Sequence, residues 1–302
     1  MFSNENIDID EIDLINDYKD RKVYRDSFNE LASLVFDINF EDWYQKGFWD
    51  DRYICHSFIR EDVVIANVSV SKMDLLINKS NKKAIQIGTV MTHPDFRGKG
   101  LSGKLMRHVL DMYEHDCDIF FLFANSTVID FYPKYGFESV GESQLKLKYY
   151  PTPNADTTLR KLNFSNKEDL AFIKKMVLSR RPVSDQFGVS NNQGLFMFYA
   201  IKVFPESIYY SQKDEAIIVY QQEGHVLNLY DVVSQSYVNL NQLINRIANE
   251  QTGYIHFHFT PDPFTDKVPY EWMDNNGDVL FIKSNFTLDK NSKFCVPLLA
   301  HA

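Results

Sequence analysis

The chain alternates between stretches whose apolar residues recur every three or four positions and stretches where they alternate or run together. Residues 23–36, VYRDSFNELASLVF, set Val23, Phe28, Leu31, Leu34 and Val35 along one side of a helix. EDWYQKGFWDDRY follows, acidic and aromatic, and predicts a second short helix. CHSFIREDVVIANVSVSKMDLLI reads as two strands turning near Arg60, Glu61 and Asp62. After the polar break NKSNKK, the β-branched run AIQIGTVMT predicts a central strand. Leu101, Leu105, Val109 and Met112 form the apolar stripe of a further helix. DIFFLFAN predicts a buried strand, STVIDFYPKYGF a short helix stopped at Gly136, and ESVGESQLKLKYY a last strand or pair of strands.

PTPNADTT, residues 151–158, carries two prolines and little to bury, which predicts a linker. Beyond it, NKEDLAFIKKMVLSRR is helical, IYYSQKDEAIIVYQQEGHVLNLYDVVS is a run of strands, YVNLNQLINRIANEQ is a helix and YIHFHFTPDP a strand. This order echoes the first half without repeating its sequence. The expected class is α/β with mixed sheets, divided into a domain over 1–150, the linker 151–158, and a second domain over 159–302.

Length supports that division, since 302 residues exceed one ordinary core. The net charge of -9, from 41 acidic and 32 basic residues, argues against a grip on nucleic acid or an anionic membrane. The cysteines Cys55, Cys117 and Cys295 form no CxxC pair, so neither a disulfide framework nor structural zinc is expected, and a reducing cytoplasmic compartment is. The N-terminal MFSNENIDIDEIDLIND lacks the apolar segment of a signal peptide, and no run reaches the length of a membrane span. His256 and His258 share one strand face, but no third ligand lies near in sequence; packed histidines rather than a metal are predicted.

The chemistry concentrates in HPDFRGKGLSGKLMRHVL, a glycine-rich turn between the predicted central strand and the helix. Gly98, Gly103 and Lys104 imitate an ATP-binding P-loop, but the position that needs a Mg²⁺-binding hydroxyl is Leu105, on the helix's apolar stripe. The other reading takes Arg97, Gly100 and Ser102 as an Arg-x-x-Gly-x-small loop. Small residues there let consecutive amides point at a pyrophosphate lying on the positive end of a helix.

The order AIQIGTVMT, RGKGLS, DIFFLFAN and FYPKYGF resembles the GNAT superfamily of acyl-CoA-dependent N-acetyltransferases. The resemblance covers residues 20–150; nothing in the second half matches the loop, so that half is expected as a GNAT-like domain without it. Ser102 departs from the family's Gly or Ala. The resemblance implies acetyl-CoA as co-substrate, an amine-bearing acceptor attacked directly, and no metal. It implies that backbone groups of Val90, Met91 and Thr92 hold the pantetheine arm. The amides of Arg97, Gly98, Lys99, Gly100, Leu101, Ser102 and Gly103 would hold the pyrophosphate, and Asn125 would contact the arm from the second strand.

An amide near Met91 would stabilise the oxyanion. Tyr132 matches the family's general acid, while Tyr135, beside Gly136, is expected to pack. The carboxylate many relatives carry on the strand before the loop is missing from AIQIGTVMT, which leaves the base open; a few two-part relatives use a terminal carboxylate, which brings in Ala302. EDWYQKGFWDDRY corresponds to the acceptor side, with Trp49 and Asp50 as substrate-binding residues and Glu41, Asp42, Trp43 and Asp51 nearby. The alternative to an enzyme is a non-catalytic acyl-CoA-binding or interaction module. No nucleic-acid or membrane partner is expected, and a homodimer is left open.

Overall fold

The computed structural model describes residues 12–151, 158–262, 270–274, 277–289 and 292–302. All but the two ends of the predicted linker 151–158 therefore lies outside the described residues. The first part runs β1 (Asp13–Asn16), α1 (Lys22–Phe36), α2 (Glu41–Gln45), β2 (Tyr53–Arg60), β3 (Val63–Ile77), β4 (Ser80–Thr92), α3 (Leu101–Tyr113), β5 (Ile119–Ala124), β6 (Glu138–Val140) and β7 (Ser143–Lys148). The second part runs β8 (Arg160–Lys161), α4 (Lys167–Leu178), β9 (Phe187–Ser190), α5 (Gln193–Lys202), β10 (Ile208–Ser211), β11 (Ala216–Glu223), β12 (Val226–Val233), α6 (Leu240–Ile247), β13 (Tyr254–Phe257), β14 (Tyr270–Asp274) and β15 (Val279–Ser284).

Both tight turns that join β2, β3 and β4 use residues in the left-handed region: Glu61 and Asp62 at φ 50° and 62°, then Asn78 and Lys79 at 47° and 65°. Two consecutive positive φ values give the turn whose twist matches paired strands. The β2–β3–β4 meander follows from them. Residues 132–135 form a single 3₁₀ turn rather than the expected helix, because Pro133 removes a backbone donor, and Gly136 closes it at φ 83°.

The strands form two sheets. One has the order β1-β2-β3-β4-β5-β15-β6, with β9 on the far end of β3; the other has the order β8-β10-β11-β12-β13-β7-β14. The two orders correspond element by element. In each, two antiparallel pairings precede a helix and a parallel pairing, β4 with β5 and β12 with β13. In each, however, the strand beside that parallel pair comes from the other part of the chain. β15 lies between β5 and β6, and β7 lies between β13 and β14. The two sheets are thus not composed of residues 1–150 and 159–302 separately; the first takes β9 and β15 from across the linker, and the second takes β7.

The cores follow the same exchange. Leu101, Leu105 and Val109 bury against the β2–β5 face, but Met112 is 41% exposed, and Tyr113, four residues after Val109, takes the next inward position. A second cluster joins Phe28, Phe40, Trp43, Trp49 and Tyr53 to Phe196, Met197 and Ile173 of α5 and α4. Helix α5 is apolar all round, so it lies between the two parts without showing a periodic stripe.

A fragment of residues 1–150 should fail to fold, because without β15 both β5 and β6 expose unpaired edges to other chains. Size-exclusion and thermal melting should show aggregation or no cooperative transition. Co-expression with 151–302 should restore a single transition; a soluble, cooperatively melting fragment would contradict the exchange.

Candidate active site

The parallel pairing of β4 and β5 covers only Ala84–Gln86 against Ile119–Phe121. Beyond Gln86 the strands part, and the cause lies on the other edge of β4. There Ser69 faces Gly88 while Asn67 already faces Met91, so β4 carries an extra residue. Thr89 absorbs it at φ 47°, a strained conformation for a β-branched side chain, on the order of 1–3 kcal/mol. Two buried groups hold it there: Asn67 Nδ2 donates to the Thr89 carbonyl at 2.8 Å, and the Tyr53 hydroxyl bonds to Thr89 Oγ1 at 2.7 Å. The Asn67 amide oxygen in turn accepts from Ser57 Oγ at 2.8 Å, and that hydroxyl meets the Tyr18 hydroxyl at 2.6 Å.

The opening leads to the start of α3. Gly98 and Gly100 sit at φ 77° and 75°, and a Cβ at either would meet nothing within 4 Å, so the loop needs them for backbone shape and leaves its approach clear. Arg97 Nε reaches the Thr92 carbonyl at 3.3 Å, and the Thr92 and Ser102 hydroxyls bond at 2.6 Å, which fastens the end of β4 to the first turn of α3. That turn contains no acid, and its residues Leu101, Ser102 and Gly103 line the opening at the positive end of the helix dipole. A Cβ at Gly103 would stand 2.5 Å from the Tyr135 hydroxyl, so Tyr135 packs on α3, as its place in the sequence suggests. A cavity of about 1100 Å³ fills the opening, lined by Val90, Met91 and Thr92 on one side and by Asn125 and Tyr132 on the other.

Residues 21–140 match the family model described as an acetyltransferase (GNAT) domain. This segment belongs to the GNAT family. N-alpha-acetyltransferase 50 of Danio rerio is 26% identical over 125 residues, 40% of this chain and 70% of that protein. Among solved structures, a conserved protein of Enterococcus faecalis superposes with a TM-score of 0.61 at 14% identity, over 90% of this chain and 71% of its own. The GCN5-related N-acetyltransferase of Kribbella flavida gives 0.56 at 16%, over 90% and 72%. Eis1 of Mycobacterium abscessus gives 0.55 at 14%, over 89% and 72%. The shared fold extends across both halves of the chain, and the protein is an acyltransferase.

In the GNAT cavity Tyr132 is almost fully buried, against Phe131, Phe137 and Phe281; burial pushes its phenol up to about 12, so it is protonated at neutral pH. Asn125 uses its side-chain oxygen to accept from Thr127 N at 3.0 Å and Thr127 Oγ1 at 2.5 Å, capping the turn after β5 while its residue lines the cavity. Lys99 does not line the cavity; its ammonium lies over the Phe96 ring at 5.2 Å.

The acceptor-side expectations are redistributed. Trp49 is buried in the aromatic cluster and donates to the Tyr53 carbonyl at 3.1 Å. Asp50 accepts from Gln193 Nε2 at 2.8 Å and Arg52 N at 2.9 Å. Neither lines the cavity, whereas Trp43 does. The neighbouring acids are engaged elsewhere, Glu41 with Arg25 at 2.8 Å, Asp51 with Lys19 at 2.5 Å and Asp42 with Lys46.

The chain's last residues also enter the cavity. His301 stacks on Phe123 at 3.8 Å, and burial lowers its pKa to about 4. Ala302 lies on the strand: a Cβ at Gly88 would be 2.8 Å from the Ala302 carbonyl carbon. A glycine inside AIQIGTVMT signals such a close backbone approach, a signal present in the sequence though not the identity of what approaches. His256 and His258 bond to Gln144 and Asn228 at 2.9 and 3.0 Å, and the described residues contain no metal-binding cluster.

Asn67→Ala should remove the side-chain donor to the Thr89 carbonyl and leave the Ser57 hydroxyl with Tyr18 alone, a loss of about 1–3 kcal/mol. Urea unfolding should show a lower midpoint at unchanged slope; an unchanged midpoint would remove Asn67 from the support of the bulge.

Proposed function

We propose that the protein transfers an acetyl group from acetyl-CoA to a primary amine by direct attack. The observation that carries this reading is the opening between β4 and β5, which ends on the unobstructed N-terminus of α3 and has Tyr132 in its wall. Backbone groups of Val90, Met91 and Thr92 would bind the pantetheine arm, and the amides from Arg97 to Gly103 the pyrophosphate, with the Arg97 guanidinium adding charge. Asn125 would border the arm on the β5 side.

Acetyl-CoA supplies an acyl group already activated as a thioester. Tyr132, protonated because its surroundings disfavour phenolate, would give its proton to the departing sulfur, and an amide near Met91 would hold the oxyanion. His301 is too weak a base at neutral pH, with its pKa near 4. The amine proton would pass through water to a more distant carboxylate, Asp278 being the one carboxylate side chain among the described lining residues. The matched bulges and parallel pairs of the two sheets support the second half as a GNAT-like copy. We read its role as completing the first sheet and closing the cavity.

Tyr132→Phe should lower turnover about 10²-fold or more while acetyl-CoA affinity, measured by calorimetry, stays unchanged. With its pKa near 12, the acid is lost only as pH rises towards 12, so wild-type kcat should show no Tyr132-dependent fall up to about pH 10. An unaltered rate in the Phe variant would take Tyr132 out of the mechanism.

A further inference from the structure

The donor accounts for the glycine-loop end of the cavity; the opposite end is built differently. Phe40, Trp43 and Tyr53 of the first half meet Phe198 and Tyr199 of α5 there. Phe40 and Phe198 stack at 5.4 Å and 27°, while Trp43 meets Phe198 at 5.9 Å and Tyr53 at 5.3 Å, both edge-on at 83°. None of the four rings Phe40, Trp43, Tyr53 and Phe198 carries a free polar tip. The Trp43 indole N–H donates to the Gly194 carbonyl at 2.8 Å, and the Tyr53 hydroxyl is bonded to Thr89. Phe36 and Ile38, 41% and 36% exposed, extend the apolar surface to the rim.

Charge is equally sparse. The acids of the 41–51 segment are paired outside the cavity, as described above, and Asp278 is the one carboxylate side chain among its described lining residues. Burial, and then the Asp278 charge, raise the Tyr199 phenol to about 12, so one negative group and one protonated hydroxyl share that wall.

A polyhydroxylated amine would find only the Tyr199 hydroxyl and Asp278 here for its several hydroxyls, and a polyamine would find one carboxylate side chain for several ammonium groups. An aromatic or branched body gains burial and ring-edge contacts, and a single ammonium is attracted by ring faces and by Asp278 on entry. We propose that the acceptor is a monocationic primary amine on an aromatic or branched apolar body, seated in the Phe40–Trp43–Tyr53–Phe198 box, with Phe198 setting specificity. This rests on the acetyltransferase reading above. It gives the second half a part in substrate choice, because Phe198 and Asp278 both belong to it.

The test is acetyl-CoA-dependent thiol release by the full chain with 2-phenylethylamine, spermidine and glucosamine as probes, alongside calorimetry with acetyl-CoA. The expected result is a kcat/KM for 2-phenylethylamine at least about tenfold above the other two. Phe198→Ala should raise its KM about tenfold, Phe198→Leu should raise it less, and acetyl-CoA affinity should not change in either. If the alanine variant does not fold, the leucine variant carries the comparison. Preference for spermidine or glucosamine would overturn the proposal. So would turnover of none of the three by a protein that binds acetyl-CoA, or an unmoved KM in both variants. Absence of acetyl-CoA binding would overturn the donor reading itself.

Discussion

The active cleft depends on one strained residue. Thr89 holds a left-handed conformation inside a strand, and everything that makes β4 useful follows from it. The extra residue turns β4 away from β5, frees backbone groups of Val90 to Thr92 on the cavity side, and aims the chain at the glycine loop. A β-branched residue does not choose this shape. It is held by a hydroxyl on one side and an amide on the other, and the amide is fixed by a buried chain reaching Ser57 and Tyr18.

The second constraint is the strand exchange. With β15 between β5 and β6, the wall beside the opening belongs to the C-terminal part, and the residues that follow lead back to place His301 on Phe123 and Ala302 on Gly88. α5 adds Phe198 and Tyr199 from the other direction. The second half, which lacks the loop, is therefore part of the site. Its own sheet keeps a bulge in the register of β11 and β12 and a parallel β12–β13 pair, while SQSYVN stands between Val233 and α6 where the first half has its glycines.

Local physics was legible in the sequence where a residue answers to its near neighbours. Leu105 excludes the P-loop reading because it sits on an apolar stripe, and it is fully buried. Gly98 and Gly100 are needed for their backbone angles, and the two hairpins fall at the polar breaks. What could not be read depends on distant partners. Thr89 resembles any strand threonine until Asn67 and Tyr53 are placed beside it. Trp49 and Asp50 have the chemistry of an acceptor site, but packing and capping turn both away from the cavity and leave Trp43 facing it. Nothing local in VLFIKS or SQLKLK says that each strand completes the other half's sheet, and α5 hid because a helix apolar on nearly every side shows no periodic stripe.

Amide hydrogen exchange with and without acetyl-CoA tests the central claim most directly. Protection should appear at Val90–Thr92 and along residues 98–103, and should leave the corresponding β12–α6 segment, residues 233–240, unchanged. Protection confined to that second segment, or none at the β4 end and glycine loop under saturating acetyl-CoA, would contradict the account.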